Sequence, residues 1–310
     1  MLNSNDQSPR AGVIRGGFTL VEMLIVIVLL SLVLTSVMTI FVQQQRFYSD
    51  TSAIMQTRSS TRDAAYVLQS DLRSISPGDT DIYSMGSNFI EFRSQLGTSV
   101  VCTIDGTRKV LTVPPVNVAA ETALTSWLSA PISGDTLLIF DPGPLSGPAD
   151  DSWRVYTLTA LPASAATCPN STGLTTTIGE ATQGMTFHVT PALTVTTPVG
   201  APIRLMRRAR YQLYQEGSGN WYLGYFDCSP SRTPVCTTLQ PVAGPYIPPG
   251  ATGGIVFTFS DATGAVTADP KLVRRIDLTA RAQTAVDIHT SGFKRGAMTD
   301  STFSTIAPRN

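Results

Sequence analysis

The sequence predicts an α+β protein, with a long N-terminal helix, first apolar and then amphipathic, packed on a mostly antiparallel β-sheet domain. Three observations predict it. Residues 18–42 carry one charge, Glu22, in an otherwise apolar run, longer than the about 20 residues a helix needs to cross a bilayer. No Gly or Pro occurs between Phe18 and Ser76, so nothing interrupts a helix before Pro77-Gly78. From Asp79 onward Ser, Thr, Gly and Pro are frequent, and apolar runs shorten to about four to eight residues, the pattern of strands and turns.

Residues 1–17 are polar, hold Arg10 and Arg15, and show no apolar periodicity; they read as a removable leader. A secretory signal fits poorly, because small residues should follow an apolar core of about 7–15 residues, whereas Gly16 and Gly17 precede it. Residues 18–42 are the expected transmembrane helix and 43–76 its amphipathic continuation. In that continuation Ile54, Arg58, Thr61, Ala65, Leu68, Leu72 and Ile75 recur at spacings of three and four, with Arg62, Asp63, Asp71 and Arg73 on other faces. At 1.5 Å per residue the whole helix would measure about 87 Å. The alternative is an anchor and a separate helix, broken near residues 43–46.

Residues 77–310 are the expected exported β-rich domain. Strands are predicted at 89–93, 99–104, 109–113, 136–140, 153–161, 185–189, 255–259 and 275–281. Segments 210–214 and 221–226 flank Gln215-Glu216-Gly217-Ser218-Gly219-Asn220 and read as a hairpin. In 275–281, Ile276, Leu278 and Ala280 alternate with Arg275, Asp277, Thr279 and Arg281, as in a half-buried antiparallel strand. Residues 141–148 and 240–254 read as long loops, 119–128 as a helical turn, and the tail after Gly292 as loosely held. No internal repeat is found.

Gly17-Phe18-Thr19-Leu20-Val21-Glu22, at the head of the apolar run, resembles the processing site of type IV prepilins and of the pseudopilins of type II secretion. The resemblance implies a type IV pilin-like fold. It also implies cleavage between Gly17 and Phe18 by a prepilin peptidase, then N-methylation of Phe18. Glu22 would serve assembly, pairing with the N-terminal amine of a neighbouring subunit. A carboxylate within lipid is costly and by default functional; the bland reading leaves Glu22 partly solvated at the interface. Later, the order of hairpin, Pro/Gly-rich loop, Phe257-Thr258-Phe259 and Val273-Arg274-Arg275-Ile276-Asp277-Leu278-Thr279-Ala280-Arg281 is similar to PilW-type minor pilins and, less so given the chain's size, to J-type pseudopilins.

The chain has 310 residues, with 22 Lys+Arg against 22 Asp+Glu. Loss of Arg10, Arg15 and Asp6 with the leader would leave a net charge near −1, so nothing points to a polyanionic partner. Arg10 and Arg15 before the helix favour a cytoplasmic N-terminus, with the domain on the periplasmic side of the inner membrane. Cys102, Cys168, Cys228 and Cys236 all lie in the exported part, an even set suited to an oxidising compartment. Three pairings are open. A local Cys228–Cys236 bridge across a turn-rich loop is the first expectation, and four free thiols the alternative. No C-x2-C pair supports zinc.

Little in the sequence points to catalysis. His188 and His289 lie far apart, and no nucleophile-elbow, zincin or phosphate-loop motif occurs. Asp79 with Asp81, and Asp150 with Asp151, match no calcium-loop spacing and read as turn residues. No cofactor and no metal are expected. Arg204, Arg207, Arg208 and Arg210 form the densest basic cluster; DNA contact is a weak possibility, and a solvated strand the preferred reading. Tyr211, Tyr214, Trp221, Tyr222 and Tyr225 read as hairpin core. The resulting expectation is a non-enzymatic minor type IV pilin that initiates, caps or decorates a filament beside other major and minor pilins. The rivals are a J-type minor pseudopilin, a membrane-anchored exported enzyme, and an adhesin or DNA-uptake tip module.

Overall fold

A computed structural model describes residues 17, 19–116, 124–145, 147–228, 236–289 and 295–309. The fold is α+β, as the sequence predicts. The chain divides into residues 1–52 and 53–310.

Helix α1 runs from Leu20–Arg73 with no break near residues 43–46. It stops three residues short of the predicted end. Ser76, which precedes Pro77, is extended (φ −117°, ψ 93°), as a residue before proline prefers. Within residues 53–73 the helix buries Thr57, Ser60, Thr61, Ala64, Leu68 and Leu72. This corrects the predicted stripe: Ile54 and Ala65 are only half-buried and Arg58 is exposed. The reason is a polar, close contact. Ser60 Oγ donates to Gly244 O (2.7 Å), and Tyr246 OH donates to Ser60 O (2.6 Å), so small side chains let the helix approach the sheet.

The strands are β1 (Ile82–Gly86), β2 (Phe89–Val100), β3 (Thr103–Ile104), β4 (Val110–Val113), β5 (Ser126–Trp127), β6 (Thr136–Asp141), β7 (Ser152–Leu158), β8 (Ala163–Ala166) and β9 (Gly184–Thr190). After these come β10 (Pro202–Gln215), β11 (Trp221–Cys228), β12 (Cys236–Tyr246), β13 (Ile255–Ser260), β14 (Arg275–Gln283), β15 (Ile288–His289), β16 (Arg295–Gly296) and β17 (Thr299–Ile306). A four-residue helix, α2 (Ile178–Ala181), carries its own capping box from Thr177 and Glu180. Among the described residues, β15 and β16 pair with each other and the other strands form one antiparallel sheet.

Several expectations fail for identifiable reasons. The predicted strand over 99–104 is interrupted at Val101 and Cys102. The loop predicted over 240–254 is strand β12 as far as Tyr246. Pro241 and Pro245 masked it, yet the β11–β12 ladder absorbs them by shifting register, as between Leu223 and Gly224. The tail is not loose: β17 pairs with β14 from Thr299↔Gln283 to Ile306↔Ile276. Its Ser/Thr-rich sequence hid a strand held mainly by backbone bonds. The helical turn predicted over 119–128 lies partly outside the described residues, and Ser126–Trp127 are strand.

Two apolar cores sit along the two long strands β2 and β10. The first joins Ala64, Leu68, Leu72 and Ile75 to Phe92, Tyr211, Leu223, Tyr246, Phe257 and Leu278, among others. The second gathers Leu96, Leu111, Leu137, Ile139, Leu158, Phe187, Ile203 and Leu205. Strand β10 crosses from one core to the other. One edge of it pairs with β2 over residues 202–212; the other pairs with β6 over residues 203–206 and with β11 over 209–215. Arg207 and Arg208 occupy the gap.

Candidate functional site

At the head of the chain, Thr19 and Glu22 close a capping box. Thr19 N donates to Glu22 Oε2 (3.3 Å), and Glu22 N donates to Thr19 Oγ1 (3.2 Å). Thr19 O then accepts the first helical bond, from Met23 N (3.1 Å). Two orphan amides at the start of α1 are thereby satisfied, and a carboxylate lies at the positive end of the helix dipole. The Thr-x-x-Glu spacing from Thr19 to Glu22 is the sequence signal of this box. Gly17 is exposed, and a Cβ placed there meets no atom within 4 Å. Phe18, the predicted methylation site, and leader residues 1–16 lie outside the described residues.

Beyond Glu22, residues 23–42 contain no Asp, Glu, Lys or Arg. Among the described residues α1 is the one helix long and apolar enough to cross a membrane. Three of its hydroxyls bond within the helix: Ser31 Oγ donates to Val28 O (2.7 Å), Thr35 Oγ1 to Ser31 O (2.7 Å) and Thr39 Oγ1 to Thr35 O (2.8 Å). In lipid, which supplies no hydrogen-bond partner, such back-bonding removes the cost of bare hydroxyls.

The basic cluster of β10 is not a solvated face. Arg207 is buried on the core side, between Leu205 and Ala209. Its Nε and Nη2 bond both oxygens of Asp135 at 2.8 Å, and it also reaches Ser129 Oγ and Ala130 O. Arg208 and Arg210 both close on the buried carboxylate of Glu91, across the β2–β10 ladder. Acids thus neutralise three of the four arginines proposed for DNA. An Arg breaking the alternation Ile203, Leu205, Arg207, Ala209, Tyr211 is the sequence signal of this seam. Beside it Arg93 pairs with Asp81 (2.9 Å). Burial raises the Asp81 carboxyl, while the amide of Ser76 and the Arg93 charge oppose that rise.

Both cysteine pairs are disulfides: Cys102–Cys168, and Cys228–Cys236 between the paired strands β11 and β12. The loop between Cys228 and Cys236 lies outside the described residues. Cys228, Cys236 and Glu91 bring three ligand-type atoms within 4.8 Å of one another. Both sulfurs are spent in the bridge and Glu91 is held by two arginines, so the trio is not a metal centre in this state. His188 and His289 lie on strands β9 and β15, and both are exposed. Asp150 accepts from Leu145 N (2.9 Å) within its own loop. Four of the five aromatics of the hairpin pack as cross-strand pairs, Tyr211 with Tyr225 and Tyr214 with Tyr222, while Trp221 packs against the first core.

Residues 14–38 match the family model described as a prokaryotic N-terminal methylation motif. No curated protein and no solved structure matches the chain. The motif, at the head of an apolar helix that fits membrane anchoring, supports a type IV pilin-like or pseudopilin-like protein. It suggests processing by a prepilin peptidase and assembly with other pilins.

Proposed function

We propose that this chain is a PilW-type minor pilin, a structural subunit that initiates, caps or decorates a type IV pilus. The observation that carries the reading is the methylation motif placed at the head of a capped apolar helix. Cleavage occurs between Gly17 and Phe18, and Phe18 is methylated. Among the described residues nothing packs against Gly17 that would require a glycine, which supports a requirement set by a processing enzyme. Before assembly the helix spans the inner membrane, with the N-terminus cytoplasmic and the β domain periplasmic. Two disulfides accord with that compartment. The role is structural and not catalytic, and hydrolase assays on the full chain should be silent. The decisive experiment is shearing of surface filaments from cells that carry this chain as the only copy. Recovery of the chain in the pilus fraction supports the reading. Its absence there, with loss of protein secretion on deletion, identifies a pseudopilin instead.

A further inference from the structure

Six arginines of the β domain face a carboxylate: Arg93, Arg154, Arg207, Arg208, Arg210 and Arg275. Arg204 is not one of them. It projects from the face of β10 opposite the core, with Leu138 of β6 as its register partner. Its guanidinium lies 4.2 Å from the centre of the Trp153 ring. Among the described residues it makes no ion pair. A cavity of about 300 Å³ opens beside it, and Arg309, Arg93, Trp153, Gln95 and Ser76 share the lining. Arg309 is tied in place by its backbone, whose amide donates to Ile75 O (2.9 Å). Burial, and then the charge of Arg309, weaken the hold of Arg204 on its proton. Two acids also line the space. Asp81 is committed to Arg93 and to the amide of Ser76, which leaves exposed Asp79 against two guanidinium groups.

We propose that this cavity binds a single oxyanion, a carboxylate or a phosphate, between Arg204 and Arg309. Stacking on an indole holds a guanidinium plane while its edge N–H groups stay free to donate as a fork. That is the geometry in which two oxygens of a carboxylate or a phosphate accept side by side. The ligand is one group and not a polyanion track, because acids neutralise Arg207, Arg208 and Arg210 along the same strand. The carboxylate source would be an acidic side chain of a neighbouring protein; the phosphate source, free phosphate.

The test uses the full chain in dodecyl maltoside micelles. Sodium phosphate and sodium glutamate are titrated separately at constant ionic strength, with chloride as the reference, and tryptophan fluorescence is followed. A saturable change with either anion, and none with chloride, is expected. Response to glutamate alone assigns the carboxylate source, response to phosphate alone assigns phosphate, and response to both assigns an oxyanion site that takes either. Arg204→Gln and Arg309→Gln should each weaken binding at least tenfold, while Arg275→Gln, on β14 and paired with Asp277, leaves it unchanged. Should Arg204→Gln fail to fold, Arg309→Gln decides, since that side chain is exposed. No saturable response to either anion, or titrations unaltered in the folded variants, overturns the proposal.

Discussion

The amide of Thr19 donates to the Glu22 carboxylate at 3.3 Å, while the amide of Glu22 donates to the Thr19 hydroxyl at 3.2 Å. The carboxylate therefore serves the start of its own helix before any neighbour arrives. Gln at position 22 can still accept from Thr19 but carries no charge; Ala can do neither. If Glu22 pairs with a neighbour's amine, Glu22→Gln and Glu22→Ala should both reduce incorporation into filaments, with expression and cleavage unchanged. Normal incorporation of the Gln variant beside a deficient Ala variant would reduce the role of Glu22 to capping. Thr19→Ala should cost about 1 kcal/mol of helix stability.

Processing should depend on Gly17 while folding does not. A Cβ at that position meets nothing within 4 Å, so Gly17→Asp should fold normally and accumulate as the uncleaved precursor in the membrane. Intact mass measures this directly. A mature chain beginning at Phe18 in the variant refutes the assignment.

Breaking the Arg207–Asp135 pair should be strongly destabilising. Both side chains are almost fully buried, and the contact is bidentate at 2.8 Å. Removing one partner leaves an uncompensated buried charge, a cost of about 3–5 kcal/mol. Asp135→Ala should show this in chemical denaturation of the full chain. The double variant Arg207→Met/Asp135→Leu should recover much of the loss, because it leaves no orphaned charge.

The two disulfides should contribute unequally. Cys102–Cys168 spans a sequence separation of 66, and Cys228–Cys236 a separation of 8. Constraint of the unfolded chain then amounts to about 4 kcal/mol for the first and about 2–3 kcal/mol for the second. Cys102→Ser/Cys168→Ser should lower the melting temperature more than Cys228→Ser/Cys236→Ser. Equal shifts would contradict the ranking.

Asp71 should make stability rise on acidification in a limited window. Burial raises its carboxyl above the ordinary value, and the hydrogen bond from Tyr211 OH (2.7 Å) only partly offsets this. A folded-state value above the unfolded one means the protonated form is favoured in the fold. Its stabilising contribution is complete below the unfolded value of 3.8 and lost as pH rises through the folded value. Asp71→Asn should therefore raise the melting temperature at pH 7, and the gain should shrink as pH approaches 4. A gain independent of pH would point to packing instead.

Much of this was legible in the sequence. Helix α1, the Trp221 hairpin and the alternation of β14 follow from periodicity and turn residues, since local pattern and tertiary role agree there. Tyr246 and Phe303 sit in strands that local pattern did not mark: prolines interrupt the first, and Ser and Thr surround the second. The acid partners of the arginines were not legible either. Glu91 lies 117 residues from Arg208, and no local rule connects them. Thr19 was a different kind of miss, a local signal that was visible and left unused.

The helix enters only one of the two cores. Its Ala64, Leu68 and Leu72 belong to the first, and α1 supplies no residue of the second. Between Ser70 and Asp71 of the helix, Ser74 just past its end, and residues 94–98 of β2 lies a groove of about 370 Å³. A pull on this part of the helix would run into the β10–β11–β12 side of the sheet and bypass the second core, which joins as a side branch through β2, β10 and the Arg207 clasp. That branch is the place where sequence can lengthen or diverge while the helix keeps every apolar contact it makes with the sheet.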